Sequence, residues 1–302
     1  MNISHKKKAY IASITYALII GFSFLFSKIS LNYSTPLDIL AHRFTVSFIF
    51  AFISILLGFV KLDITKKDIL YVLPLALFYP IMFFAFQIFG LVYISSSEAG
   101  IIQATIPIFT MIFSVIFLKE RPSIIQKLSI LLSVSGVMYI FFMKGISLKS
   151  NIFMGILLIL LSSLSSAFNN VLSRKMSRNY RPVLLTYISI GIGFVFFNAV
   201  CVINHIFHGT INIYFKPFIN PSFIISIVYL GVLSSLLTSF LLNYALSKIE
   251  ASKMSVFNNL STLITMIAGV LFLGEHLQYF HIIGAFIIIL GIIGTNLGDK
   301  AP

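Results

Sequence analysis

Of 302 residues, 59% are apolar and only 10% are charged, against about a quarter charged in an ordinary soluble domain. No soluble fold of this size hides that much apolar surface and still covers itself with polar groups, so lipid is the solvent for most of the chain. The net charge of +13 would point a soluble protein toward nucleic acid, but here the basic residues sit between apolar runs and read as orientation signals, with no nucleic-acid partner.

A helix needs roughly 20 mostly apolar residues to cross the hydrocarbon core. Ten such windows are predicted, near 9–27, 36–60, 69–91, 97–117, 124–143, 152–173, 183–204, 223–247, 254–273 and 279–297. His5-Lys6-Lys7-Lys8 ahead of the first window resembles a signal-peptide start. The apolar run continues to Ser27 without a small-residue cleavage site, so it reads as a retained helix. Pro36, Pro122 and Pro182 fall at or just before helix starts, where a missing N–H costs nothing. Pro74, Pro80 and Pro107 fall inside windows and predict kinks. The longest predicted connection runs from His205 to Ser222. Tryptophan is absent, and Tyr10, Tyr33, Tyr71, Tyr93, Tyr180, Tyr214 and Tyr279 at window ends supply the interfacial belt instead. With a cytoplasmic N-terminus, only Lys28, Arg43, Lys144, Lys149 and Lys216 of the 21 lysines and arginines fall on the far side. That bias places both termini in the cytoplasm.

A shift of 155 positions aligns YISSSEAGIIQATIPIFTMIFSVIFLKERPS, from Tyr93, with KIEASKMSVFNNLSTLITMIAGVLFLGEHLQ, from Lys248, without a gap. Extended to Ile140 and Thr295, the window holds ten identities in 48 positions, among them Ser97/Ser252, Glu120/Glu275 and Gly136/Gly291. A weaker match joins Gly21–Lys28 to Ala167–Arg174. Five spans per half is an odd number, so the second half must enter the membrane from the opposite side. The predicted fold is an all-α membrane protein of ten transmembrane helices in two inverted five-helix repeats. Secondary transporters are built this way, with two similar gates around a midplane site.

These residues resemble a known family. Pro36 and Arg43 in the second window, YISSSEAGIIQATIPIF with Pro107, FLKER at Phe117–Arg121, FLGEH at Phe272–His276 and Gly291 look like the EamA branch of the drug/metabolite transporter superfamily. The resemblance covers two EamA-like units, 10–143 and 152–297, joined by a linker at 144–151. It implies a multi-pass protein of the bacterial inner or plasma membrane that moves a small metabolite such as an amino acid, nucleoside or sugar, and it favours export. Thr262 stands where the first half has Pro107, and the sixth helix has no tryptophan. Both departures bear on the cargo rather than the fold.

Ionisable and amide side chains inside spans are expensive, so each is a site candidate. Arg43 lies about 10 Å into its helix at 1.5 Å per residue. It either binds a cargo carboxylate or phosphate or pins two helices together. Glu98 is positioned to pair with Arg43 as an outer gate or to carry a proton. Gln103 and Asn258 are repeat mates expected to face a central cavity, with Asn169 and Tyr79 as further lining candidates. Glu120 and Glu275 end corresponding helices and are assigned structural roles. Gly284 and Gly291 share one face of the last helix, for packing within the chain or between two copies in a homodimer.

Cys201 alone excludes an intrachain disulfide and a cysteine metal motif. His205 and His208 are read as solvated loop side chains, not metal ligands. Nucleotide, dinucleotide and hydrolase motifs are absent, so no enzyme activity and no cofactor are expected. The expected function is secondary transport of a small polar metabolite by alternating access, with lipid as the other partner. The competing readings are a non-transporting sensor or assembly partner, and a channel.

Overall fold

The computed structural model describes residues 3–144, 150–273 and 278–297, and these are helices and short connections with no strand. Eight helices are long and apolar enough to cross a membrane, by length and composition. They are α1 (Ile3–Leu31), α2 (Pro36–Leu56), α3 (Lys66–Tyr93), α4 (Ser96–Leu118), α6 (Ser150–Met176), α7 (Pro182–His208), α8 (Pro221–Lys248) and α9 (Ala251–Phe272). Two further apolar helices are α5 (Ile124–Lys144) and α10 (Tyr279–Leu297). The second predicted window ran to residue 60; α2 stops at Leu56, and the positive φ of Gly58 turns the chain (75°).

Local chemistry sets the ends. Thr35 and Asn220 accept hydrogen bonds from N–H groups in the first turns of α2 and α8, each with proline at the start. Thr65 with Asp68, and Ser95 with Glu98, form reciprocal capping boxes that open α3 and α4. Gly209, at φ 65°, ends α7 in a left-handed cap.

Helix boundaries repeat in register. Lys66, Tyr93, Ser96 and Ile124 each lie 155 positions before the matching boundary at Pro221, Lys248, Ala251 and Tyr279. For the first two helices of each half the offset is 146, from Pro36 to Pro182. The difference accumulates in α7, which has 27 residues against 21 in α2, and in the longer connection after it. Packing follows the same plan: α5 lies on α10, α2 on α7, α1 on α9, and α6 on α4.

The predicted kinks resolve differently. Pro74 stays within regular helix, whereas Tyr79, just before Pro80, leaves helical geometry (φ −147°, ψ 110°) inside a π-type stretch, Leu77–Met82. At the corresponding level α8 is also π-type, over Tyr229–Leu237, without a proline. In α4 the break falls at Ala104 and Thr105, and Pro107 opens the next segment.

The Gly284/Gly291 face of α10 is used inside the chain. A Cβ on Gly291 would stand 2.5 Å from the Ser133 Cβ of α5, and the repeat mate Gly136 meets the Gly284 carbonyl and Ile287 of α10 from the other side. Gly291→Ala must therefore push α5 from α10, an overpacking worth about 1–3 kcal/mol. Gly191→Ala, where only Phe48 approaches to 4.0 Å, should be near neutral. Thermal unfolding of the two variants in detergent checks this; equal midpoints would contradict it.

Candidate functional site

Arg43 is the eighth residue of α2 and is 2% exposed. Its Nε donates to the Ser235 hydroxyl (2.6 Å), and Nη2 donates to the Ser234 hydroxyl (2.9 Å) and carbonyl (3.1 Å). The guanidinium carbon lies 3.8 Å from the centre of the Phe84 ring, a cation–π contact worth roughly 2 kcal/mol or more when desolvated. Among the described residues no carboxylate is paired with it. Its positive charge is solvated by dipoles and a ring but is not neutralised.

Tyr79 packs on the same Phe84 ring (centroids 5.0 Å apart). Its hydroxyl is buried and makes no hydrogen bond of ordinary geometry, although the Thr238 and Ser239 hydroxyls of α8 are close enough to act on it. With Leu75 of α3, Asn169 of α6, Ser189 of α7, and Ser239, Leu242 and Asn243 of α8, it lines a small cavity of about 10 Å³ with mixed polar and apolar walls. The Ser189 hydroxyl is likewise buried without a partner.

The repeat explains this clustering. The offset of 155 carries Tyr79-Pro80 onto Ser234-Ser235, and the offset of 146 carries Arg43 onto Ser189. Arg43 of one half thus holds the broken segment of α8, while Ser189 of the other half faces the broken segment of α3. Geometry is shared between the halves, but only one carries a charge. Ser189, Ser234 and Ser235 escaped the sequence reading because isolated serines in apolar runs look like packing residues. Extending the 155-residue offset back from Tyr93 would have found the last two.

The other candidates are dispersed. The Gln103 amide donates to Ser162 (3.3 Å), whose hydroxyl donates to the Phe83 carbonyl beside the α3 break (2.9 Å). Asn258 accepts from the Tyr16 hydroxyl (3.3 Å) and donates to the Ser255 carbonyl (2.9 Å). The two amides therefore brace helices in this conformation. Glu98 accepts the Ser95 amide and hydroxyl at 2.8 Å each at the start of α4, and the contacts of Arg43 among the described residues do not include it. A larger groove of about 1000 Å³ between α3 and α7, with Leu73, Leu77, Ile192 and Val195 in its lining, is apolar, as a lipid-facing surface must be.

One matched pair of ties holds the ends. Lys28 Nζ donates to the Leu91 and Ile94 carbonyls (2.6 and 2.9 Å) at the end of α3, and Arg174 Nη1 donates to Leu246 (2.7 Å) at the end of α8. Leu91 and Leu246 are 155 apart, so the weak Lys28/Arg174 match marks a shared cation at a helix C-terminus. Glu120 at the end of α4 accepts the Ala251 amide (3.2 Å) and the Ser252 hydroxyl (3.3 Å), which locks the start of α9. Its mate Glu275 lies outside the described residues.

His205 corrects the loop reading. It belongs to the last turns of α7, is buried, and bonds Asp38 at 2.7 Å, whereas His208 is exposed and bonds the Asn204 carbonyl.

Comparison with known proteins agrees with this two-part plan. The EamA-like transporter family matches twice, at residues 7–142 and 153–297. The chain is 57% identical over 289 residues to the uncharacterized transporter YcxC of Bacillus subtilis (strain 168), covering 96% of this chain and 93% of that one. An uncharacterized transporter of Archaeoglobus fulgidus is 30% identical over 281 residues, 90% of this chain and 92% of its own. A solved crystal structure shares the fold, with a TM-score of 0.74 at 16% identity over 96% of this chain and 98% of its own. Broken helices around a buried cation, a repeated helix plan and a family match to each half together identify this chain as a multi-pass membrane protein of the EamA-like transporter family.

Proposed function

We propose that the protein is a secondary transporter of a small metabolite bearing a carboxylate, such as an amino acid, and that it works by alternating access between two inverted five-helix repeats. In this reading all ten helices cross the membrane, α5 and α10 included, and the linker at 144–151 joins repeats at 10–143 and 152–297. The lysine and arginine bias puts both termini in the cytoplasm, the membrane is the bacterial plasma membrane, and the direction is export.

The observation that carries the proposal is Arg43. A guanidinium deep in a span is retained only where it does something that outweighs its desolvation. Here it lies beside the two broken helices with no acid among the described residues to neutralise it. A cargo carboxylate supplies the missing charge. Tyr79 and Ser189, whose buried hydroxyls make no hydrogen bond of ordinary geometry, supply hydrogen bonds to the remainder of the cargo. Alternating access is supported by the placement of the breaks. Both lie at corresponding levels of α3 and α8, so each half hinges where the other half touches it.

Arg43→Gln should weaken binding of a carboxylate cargo about 10- to 100-fold, the worth of a hydrogen bond to a charged group. Arg43→Lys should fall in between, since a lysine keeps the charge but loses the fork. Counterflow in proteoliposomes, scanned over metabolites, reads both. Unchanged carboxylate transport in Arg43→Gln would remove this residue from the site.

A cysteine at position 239 or 169 should react with a small hydrophilic thiol reagent, from one face at a time, and cargo should slow the reaction. The native Cys201, which is buried, gives the background rate. Absence of reaction at both positions from either face would exclude a water-accessible pathway here and favour a non-transporting role.

A further inference from the structure

We propose that Asp38, Cys201 and His205 form a binding site for a divalent transition-metal ion of the zinc class, at the end of the bundle where α2 meets α7. The proposal is independent of the cargo reading. A carboxylate oxygen, a thiol sulfur and an imidazole nitrogen lie within 4.8 Å of one another, and all three side chains are buried. Asp38 sits in the first turn of α2. Cys201 and His205, four apart in α7, present their donors on one face of that helix. The Asp38 Oδ1 is 3.2 Å from the Cys201 sulfur and 2.7 Å from the His205 Nε2.

The donor set selects the ion. Thiolate and imidazole disfavour magnesium and calcium, whereas zinc takes sulfur, nitrogen and oxygen together. Three protein donors leave a fourth tetrahedral position for water or another small ligand. The surroundings hold the donors as outer partners of a metal site do. The other ring nitrogen of His205 is 2.7 Å from the Thr210 hydroxyl, and the Ser34 hydroxyl donates to Asp38 Oδ2 (3.4 Å). Tyr214 closes the side, with its ring 5.3 Å from that of His205 and 4.2 Å from that of His42.

Charge favours the same conclusion. One carboxylate and one thiolate against a divalent ion make a neutral buried unit, which lowers the desolvation penalty of each part. On binding, the thiol S–H bond breaks, a sulfur–metal bond forms, and that proton leaves to water. The neutral imidazole keeps its own proton, on the nitrogen facing Thr210, and binds the ion through Nε2.

The site belongs to one half only. The offset of 146 carries Asp38, Cys201 and His205 onto Leu184, Ile55 and Phe59, none of them a metal ligand. His205 stands in the extra length by which α7 exceeds α2. An ion there would tie α2 to α7 at one end of the molecule and leave the other end free, an asymmetry that bears on which end opens.

The full-length protein in detergent, treated with chelator and then titrated with Co²⁺, provides the test. A thiolate-to-cobalt charge-transfer band is expected at one Co²⁺ per chain and should be displaced by Zn²⁺. The chain has a single cysteine, so such a band can come only from Cys201. Cys201→Ser should abolish it, and Asp38→Asn or His205→Gln should weaken Co²⁺ binding at least tenfold. If those variants fail to fold, Thr210→Val should still bind about tenfold more weakly than the unaltered chain, as outer-partner losses do. Absence of the band in the folded, unaltered protein under a large excess of Co²⁺ would overturn the proposal. So would Co²⁺ binding of undiminished affinity in Asp38→Asn, His205→Gln or Thr210→Val.

Discussion

Hydrocarbon offers no hydrogen bonds, so every backbone group at membrane depth must find a partner within the protein. A break in a spanning helix is therefore tolerated only where neighbouring side chains take up the freed groups. At the α8 break, Ser47 donates to the Gly231 carbonyl, and Arg43 and Thr238 donate to that of Ser234. At the α3 break, Ser162 donates to the Phe83 carbonyl. Some of the serines and threonines in these apolar helices thus take up backbone groups freed where the chain departs from regular helix. The polar centre of the molecule and its broken helices are two aspects of one requirement.

Arg43 illustrates how that requirement shades into function. Two hydroxyls, a carbonyl and an aromatic face orient the guanidinium. They stabilise it without cancelling its charge, since each is a dipole or a quadrupole. Adding an acid beside it would make a neutral, inert strut. Its absence among the described residues leaves a fixed positive potential at the place where the two halves touch. Potential in a low-dielectric setting is felt strongly by an incoming anion.

Duplication supplies the frame, and divergence supplies the chemistry. The helix boundaries, the cation at the end of α3 and of α8, and the glycines between α5 and α10 are shared by the halves. The charged member at the centre, the proline in the break of α3 and the longer α7 are each confined to one half.

Much of the frame was legible from residues alone. Apolar windows of membrane length, bounded by prolines and tyrosines, located the helices to within a few positions. The repeat of Leu-x-Glu after α4 and α9 fixed the register of the halves. Hydropathy and register are local or periodic properties, and they survive in one dimension. The partners of buried polar groups do not. Arg43 was visible as costly, but its neighbours Ser234 and Ser235 lie more than half the chain away. Glu98 looked like a gate candidate, and its capping of α4 through the Ser95 amide and hydroxyl was not foreseen. His205 looked solvated because its helix was read as ending too soon; only packing against α2 shows it facing Asp38. Which polar side chains meet in hydrocarbon is decided by how helices cross, and crossing is a property of the assembled bundle.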